Sequence, residues 1–225
     1  MCQSCRVSIA ATLFDMDGLL IDSEVLWHKA EVELFGALGV PPFESANRST
    51  KGVFVNDVVD YWYARYPWPE PGCDVVVEML LERVGALIDS EGRLLPGAIR
   101  ALDLTSERGP IALASSTPLK LIRRSLDHFG LADRFASIHS AETEPYGKPH
   151  PGVFLSAASS IGVEPTRCLV FEDSTAGVIA ARAASMSVVA VPASADRAAV
   201  EFLLAELVLD SLEELSPEWL DEQFA

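Results

Sequence analysis

The chain predicts an α/β fold, a doubly wound parallel sheet with a small all-helical segment inserted after the first strand. Three observations carry that expectation. An apolar run from Val7 to Phe14 stops abruptly at Asp15-Met16-Asp17-Gly18, and its shortness, partial β-branching and terminal turn signal read as a buried strand. Residues 19 to 90 then hold helix-periodic segments and no strand pattern. From Pro96-Gly97 onward, short apolar runs alternate with helical ones, the signature of strands and crossover helices around a parallel sheet.

Taken in order, an amphipathic pattern follows Asp22-Ser23 to about Leu38, with either polar residue suited to cap it, and Gly39 and Pro41-Pro42 stop it. Residues 43–55 are polar and irregular. Helical patterns return at about 56–65, amid Tyr61, Trp62, Tyr63, Tyr66 and Trp68, and again at Val75 to Ile88. A helix is expected at 97–108 and a strand at Ile111 to Leu113, with Pro118 opening the next helix, which ends near Gly130. A weak strand at Phe135 to His139 and a proline-rich loop from Glu144 precede a helix at 151–161. Cys168 to Phe171 is a strand, Ser174 caps a helix to Ala184, and Val188 to Val191 is a strand. A helix at 196–205, an edge strand at Val208-Leu209 and a terminal helix complete the pattern.

With 225 residues and 49% hydrophobic content, the chain is long enough to bury a real core, as one domain or a domain with an insert. Its 17 basic against 33 acidic residues give a net charge of −16, which argues against nucleic acid or an anionic membrane as partner. No stretch approaches the ~18 apolar residues of a membrane helix. Met1 to Ser8 lacks the basic flank and apolar core of a secretory signal, so a cytoplasmic monomer is expected. Cys2 and Cys5 form a Cys-x-x-Cys pair, but Cys73, Cys168 and the histidines supply no second paired spacing for zinc, and the thiols read as incidental.

Chemistry should collect beyond the carboxyl ends of the strands. Asp15 and Asp17 fall there, a carboxylate able to attack and a second carboxyl able to move protons. An Asp-x-Asp-Gly calcium loop is excluded, because Leu19 and Leu26 occupy positions that need oxygen ligands. Ser115 and Ser116, Lys148, and Glu172 and Asp173 follow at later strand ends or adjacent loops. Each has an ordinary alternative: a helix cap, a solvated lysine, carboxylates favoured at a helix start. Together they compose a phosphate and Mg²⁺ site, in which lysine supplies positive charge against an acidic background.

The set Asp15-Met16-Asp17-Gly18, Ser115, Lys148-Pro149-His150-Pro151 and Glu172-Asp173-Ser174-x-x-Gly177 resembles the haloacid dehalogenase (HAD) superfamily in its β-phosphoglucomutase-like branch. Asp17 to Trp27, Tyr61 to Trp68 and Pro145 to Pro151 look like the hexitol and 2-deoxyglucose-6-phosphate phosphatases within it. The resemblance spans the chain. It implies a HAD-like Rossmannoid core at 1–18 and 91–225 and a helical cap at 19–90. It also implies Mg²⁺-dependent hydrolysis of small sugar or sugar-alcohol phosphates through an aspartyl-phosphate. Asp15 would be the nucleophile and Asp17 the acid/base. Asp15, Asp173, the Asp17 carbonyl and Glu172 would serve the metal, Ser115 and the Ser116 N–H the phosphate, and Lys148 charge neutralisation. Glu24, Trp27, Thr50, Lys51 and the aromatics near Trp62 are the cap candidates for substrate contact. A phosphomutase of this pattern grips a second phosphate with a cap arginine and lysine and restrains its acid/base with a histidine. Here Val55 stands at the arginine position and Trp27 at the histidine position, and no lysine occurs between Lys51 and Lys120. Neither clamp nor restraint is therefore expected.

Overall fold

The computed structural model describes residues 8–41 and 53–225. Six parallel strands form one sheet: β1 (Ala11–Phe14), β2 (Ile111–Ser115), β3 (Ser137–Ser140), β4 (Cys168–Glu172), β5 (Ser187–Ala190) and β6 (Leu207–Val208), in the order β3-β2-β1-β4-β5-β6. Eight α-helices are described: α1 (Glu24–Ala37), α2 (Val55–Arg65), α3 (Cys73–Glu91), α4 (Ala98–Ser106), α5 (Leu119–His128), α6 (Gly152–Ser160), α7 (Thr175–Ala183) and α8 (Pro217–Phe224). This is the α/β doubly wound sheet anticipated. Its order reverses at β1, between β2 and β4, and such a switch point opens a crevice at the carboxyl ends of the strands.

The period-two alternation of each strand divides the core by residue size. Phe14, Leu113, Leu169, Phe171 and Val189 face one side, where Phe14 and Phe171 stack at 4.8 Å. Ala11, Leu13, Ala112, Ala114, Val170 and Ala190 face the other, against Ala157 and Ala158 of α6 and Ala180 and Ala181 of α7. Small residues on both surfaces bring these helices close to the sheet, so the starts of α6 and α7 end near the strand termini.

Helices α1 to α3 bury their own cluster, which includes Phe35, Val59, Trp62, Leu80 and Ile88, and Leu121 of α5 joins it. The chain leaving the sheet and the chain returning to it run side by side. Asp22 N donates to Arg93 O at 2.9 Å, and Leu95 N donates to Leu20 O at 2.9 Å. Among the described residues no helix is long and apolar enough to cross a membrane.

Several local expectations need correction. The helix expected at 196–205 is a series of turns followed by a 3-10 helix at Val200–Leu204. Val200, Leu203 and Leu204 are exposed and Phe202 alone enters the core, so no apolar stripe docks a longer helix. The strand expected at Phe135 to His139 begins at Ser137, because Phe135 turns into the core beneath the sheet. Ile9 pairs with Gln223 O rather than extending β1. Ser23 precedes α1 but does not cap it, since its hydroxyl is committed to the candidate site. Ser174 does cap α7, accepting from Gly177 N at 3.0 Å.

Candidate active site

The strand β1 ends at Phe14, and the turn that follows sends Asp15 and Asp17 to one cavity. Gly18 makes that turn possible. Its φ is +76°, and a Cβ there would lie 2.3 Å from Asp173 Oδ2, so a side chain is excluded on both grounds.

Lys148 reaches into the same place from the loop before α6. Its Nζ donates to Asp15 Oδ1 at 2.5 Å, to Glu172 Oε1 at 2.6 Å and to Ala114 O at 3.1 Å, and it lies 4.8 Å from the centre of the Phe154 ring. Three acceptors satisfy the three donors of a buried ammonium. Burial alone would lower the Lys148 pKa, but Asp15 and Glu172 more than offset it and hold the amine above its ordinary value. Burial raises the Asp15 carboxyl; Lys148 pulls the other way, Glu172 and Asp17 add to the rise, and the result is about 7. Glu172 is wholly buried at the end of β4 and accepts at Oε2 from Asp173 N, Ser174 N and Ser174 Oγ, each at 2.9 Å. Gly177 leaves room for it, since a Cβ there would sit 1.8 Å from Glu172 Oε1.

Asp17 is held from two sides. Ser23 Oγ donates to Oδ1 at 2.6 Å and Trp27 Nε1 donates to the same oxygen at 3.2 Å. Thr117 Oγ1 donates to Oδ2 at 2.7 Å, with Ser115 Oγ at 3.5 Å. The expectation that nothing restrains Asp17 is therefore wrong. The indole at the histidine position supplies an N–H of its own.

One oxygen each from Asp15, Glu172 and Asp173 lie within 4.8 Å of one another. Such a cluster of hard, negatively charged oxygens could hold a divalent cation. Ser116 and Thr117 line the cavity between these carboxylates and the start of α5. Ser116 Oγ is buried with no hydrogen-bond partner among the described residues, as suits a group awaiting an acceptor from a ligand. Ser115 lies one layer behind, where its Oγ accepts from Thr117 N at 3.1 Å.

The cavity thus gathers Asp15, Asp17, Ser116, Lys148, Glu172 and Asp173, and Glu24 and Trp27 of α1 form part of its roof. Thr50, Lys51 and the Cys2/Cys5 pair lie outside the described residues. Trp62 does not serve the cavity, being packed in the helical cluster between Phe35, Tyr61 and Tyr66. Sequence reasoning missed Thr117, Ser23 and Glu31. Ser23 was legible only as a cap, and Thr117 stands two residues beyond a motif serine. Glu31 shares a helix face with Glu24 and Trp27, a spacing signal that was available.

A switch-point crevice with adjoining carboxylates, a buried lysine and strand-end hydroxyls suits phosphoryl transfer. The family model for haloacid dehalogenase-like hydrolases matches residues 9–185, and the chain belongs to that family. It is 43% identical over 213 residues to hexitol phosphatase B of Escherichia coli, covering 92% of this chain and 95% of that protein. It is 29% identical to the fructose-1-phosphate phosphatase YqaB of the same organism, over 80% of this chain and 95% of that one. Among solved structures, a β-phosphoglucomutase from Clostridium difficile superposes with a TM-score of 0.80 at 28% identity, covering 96% of this chain and 97% of that one. CbbY from Rhodobacter sphaeroides, in complex with phosphate, gives 0.79 at 28% identity over 92% and 96%. The chain is a phosphatase.

Proposed function

We propose that the chain hydrolyses monophosphates of small sugars and sugar alcohols, hexitol and hexose 6-phosphates and 2-deoxyglucose 6-phosphate among them. Residues 1–18 and 91–225 act as the catalytic core and residues 19–90 as a cap over the substrate. The observation that carries the reading is the pairing of Asp15, bound by Lys148, with Asp17, bound by four donors of its own, in one roofed cavity. The similarity to hexitol phosphatase B supports the substrate class.

An Asp15 oxygen attacks phosphorus and forms an acyl phosphate as the bond to the sugar oxygen breaks. Asp17 gives its proton to that leaving oxygen. It then takes a proton from the water that attacks the same phosphorus, releasing inorganic phosphate and restoring Asp15. Lys148 offsets charge on Asp15 and on the transferring group, and the Ser116 hydroxyl, buried without a partner among the described residues, directs its donor at the phosphate oxygens. Asp15, Asp173 and Glu172, with the Asp17 carbonyl, would hold Mg²⁺; the hard-oxygen set fits it. When bound, the ion neutralises the phosphoryl oxygens during transfer.

The test is release of phosphate from glucitol 6-phosphate and p-nitrophenyl phosphate with Mg²⁺, by wild type and Asp15→Asn. An amide is a poor nucleophile, so turnover should fall by several powers of ten with the fold intact. Retention of more than about a tenth of the rate, a barrier change of ~1.4 kcal/mol, removes Asp15 from the role.

A further inference from the structure

The Lys148 ammonium is met by acceptors from three strands: Asp15 just after β1, Ala114 in β2 and Glu172 at the end of β4. Hydrogen bonds of 2.5–3.1 Å tolerate little displacement, so the backbone that carries Lys148 has to be placed closely. That backbone is a turn. His150 N donates to Gly147 O at 2.9 Å, which closes four residues with Lys148 in second position. On Gly147, the first residue of the turn, rests the ring of Phe54, the residue just before α2. A Cβ on Gly147 would lie 2.4 Å from Phe54 Cε2, 2.7 Å from Cδ2 and 3.0 Å from Cζ. The φ of Gly147 lies outside the left-handed region. Room for the ring, and not backbone conformation, is what calls for glycine here.

The neighbours of Phe54 face elsewhere. Val53 and Val55 line the catalytic cavity, and Val55 and Val58 pack in the cluster of α1 to α3. Phe54 packs instead against the core cluster that includes Ala114, Val153 and Phe154. With Tyr146, Gly147, Lys148 and Ala176 it lines an outer groove, and Lys148 borders both that groove and the cavity. Resting on the phosphatase reading above, we propose that Phe54 is a positioning residue for Lys148: its ring fills the space beside Gly147, fixes the turn and so holds the ammonium between Asp15 and Glu172. Phe54 itself touches no reacting atom. It ties the start of α2 to the positive charge that serves phosphoryl transfer.

Gly147→Ala forces either the ring off the turn or the turn off the ring. A misplacement of about 1 Å can cost ~100-fold in rate, so kcat should fall about tenfold or more. Lys148 serves the phosphoryl group and not the alcohol, so the loss should be similar on glucitol 6-phosphate and p-nitrophenyl phosphate and should lie in kcat more than in KM. Phe54→Ala should lower kcat in the same way. In the Phe54→Ala background the added methyl meets no ring, so Gly147→Ala should there cost less than about twofold. A contact that only stabilises the fold would lower the denaturation midpoint and leave kcat of the folded enzyme within about twofold of wild type in every variant; that result overturns the inference. An equal kcat cost of Gly147→Ala in both backgrounds overturns it as well, and so does a loss confined to glucitol 6-phosphate, which would make Phe54 a sugar contact. Should Phe54→Ala not fold, Phe54→Leu supplies the second background: its flexible side chain can yield to the methyl, so Gly147→Ala must cost less there than in the wild type. Should Gly147→Ala not fold, the kcat of Phe54→Ala on the two esters decides alone. Absence of wild-type turnover on even p-nitrophenyl phosphate overturns the phosphatase reading and this one with it.

Discussion

At the scale of single residues, Asp17 is the most instructive side chain. Four donors meet its two oxygens, and the indole of Trp27 is the one that comes from the first turn of α1. Hydrogen bonds to a charged group are worth about 1.5–3 kcal/mol. Trp27→Phe removes the N–H and keeps most of the ring, so kcat on a poor leaving group such as a sugar alcohol should fall about tenfold. The fall should be smaller with p-nitrophenyl phosphate, whose leaving oxygen needs less help from an acid. A kcat within twofold of wild type on both esters would show that Trp27 merely packs there. Asp15, Asp17, Lys148 and Asp173, which line one cavity, were legible as a set because their order and spacing match the motifs of the family the sequence resembles. Thr117 was not, for its contact with Asp17 joins residues a hundred positions apart. No local pattern distinguishes such a hydroxyl from a loop threonine.

Among the elements, two glycines in helices make opposite demands. Gly36 lies near the end of α1, and a Cβ there would meet nothing within 4 Å. Gly177 lies in the first turn of α7, and a Cβ there would fall on the Glu172 carboxylate. Alanine is favoured over glycine in a helix interior by up to ~1 kcal/mol, a gain diminished near a helix end. Gly36→Ala should therefore stabilise the chain by a few tenths to about 1 kcal/mol. For Gly177→Ala the same gain is outweighed by overpacking of about 1–3 kcal/mol. The buried Glu172 must move, and Lys148 with it, so activity should drop as well. Chemical denaturation of the two variants checks both signs; a stabilised and fully active Gly177→Ala would mean that the Glu172–Lys148 arrangement is not required. Element type was readable wherever an apolar stripe or alternation ran long enough to declare its period. It failed at Val200–Leu204, where one buried phenylalanine amid exposed aliphatics mimics a helical pattern without a surface for it to cover.

On the scale of the whole molecule, the question is whether the aspartyl-phosphate proposed above would pass its phosphoryl group to water or to a second substrate. Fold does not decide it, since the chain superposes on a β-phosphoglucomutase at a TM-score of 0.80 while being 43% identical to a hexitol phosphatase. The cluster of α1 to α3 is tied to the rest of the chain by Leu121, which joins it, and by exposed ion pairs from α3 to Lys120 and Arg124 of α5. Exposed pairs are worth about 0–1 kcal/mol each, so apolar contact dominates the seating. A mutase must hold the phosphate that is not being transferred while the intermediate turns around. Over this cavity, among the described residues, the roof offers Glu24, Glu31, Trp27 and valines. The net charge of −16 opposes a second phosphate. Trp27 supplies a restraint on Asp17, so the grip on a second phosphate is the deciding feature, and among the described lining residues Lys148 is the one basic side chain. Incubation with β-glucose 1-phosphate, with and without a hexose bisphosphate, should therefore release inorganic phosphate at a rate the bisphosphate does not raise. Formation of glucose 6-phosphate that depends on the bisphosphate and outpaces phosphate release would place the second-phosphate grip elsewhere in the cap and make the enzyme a mutase.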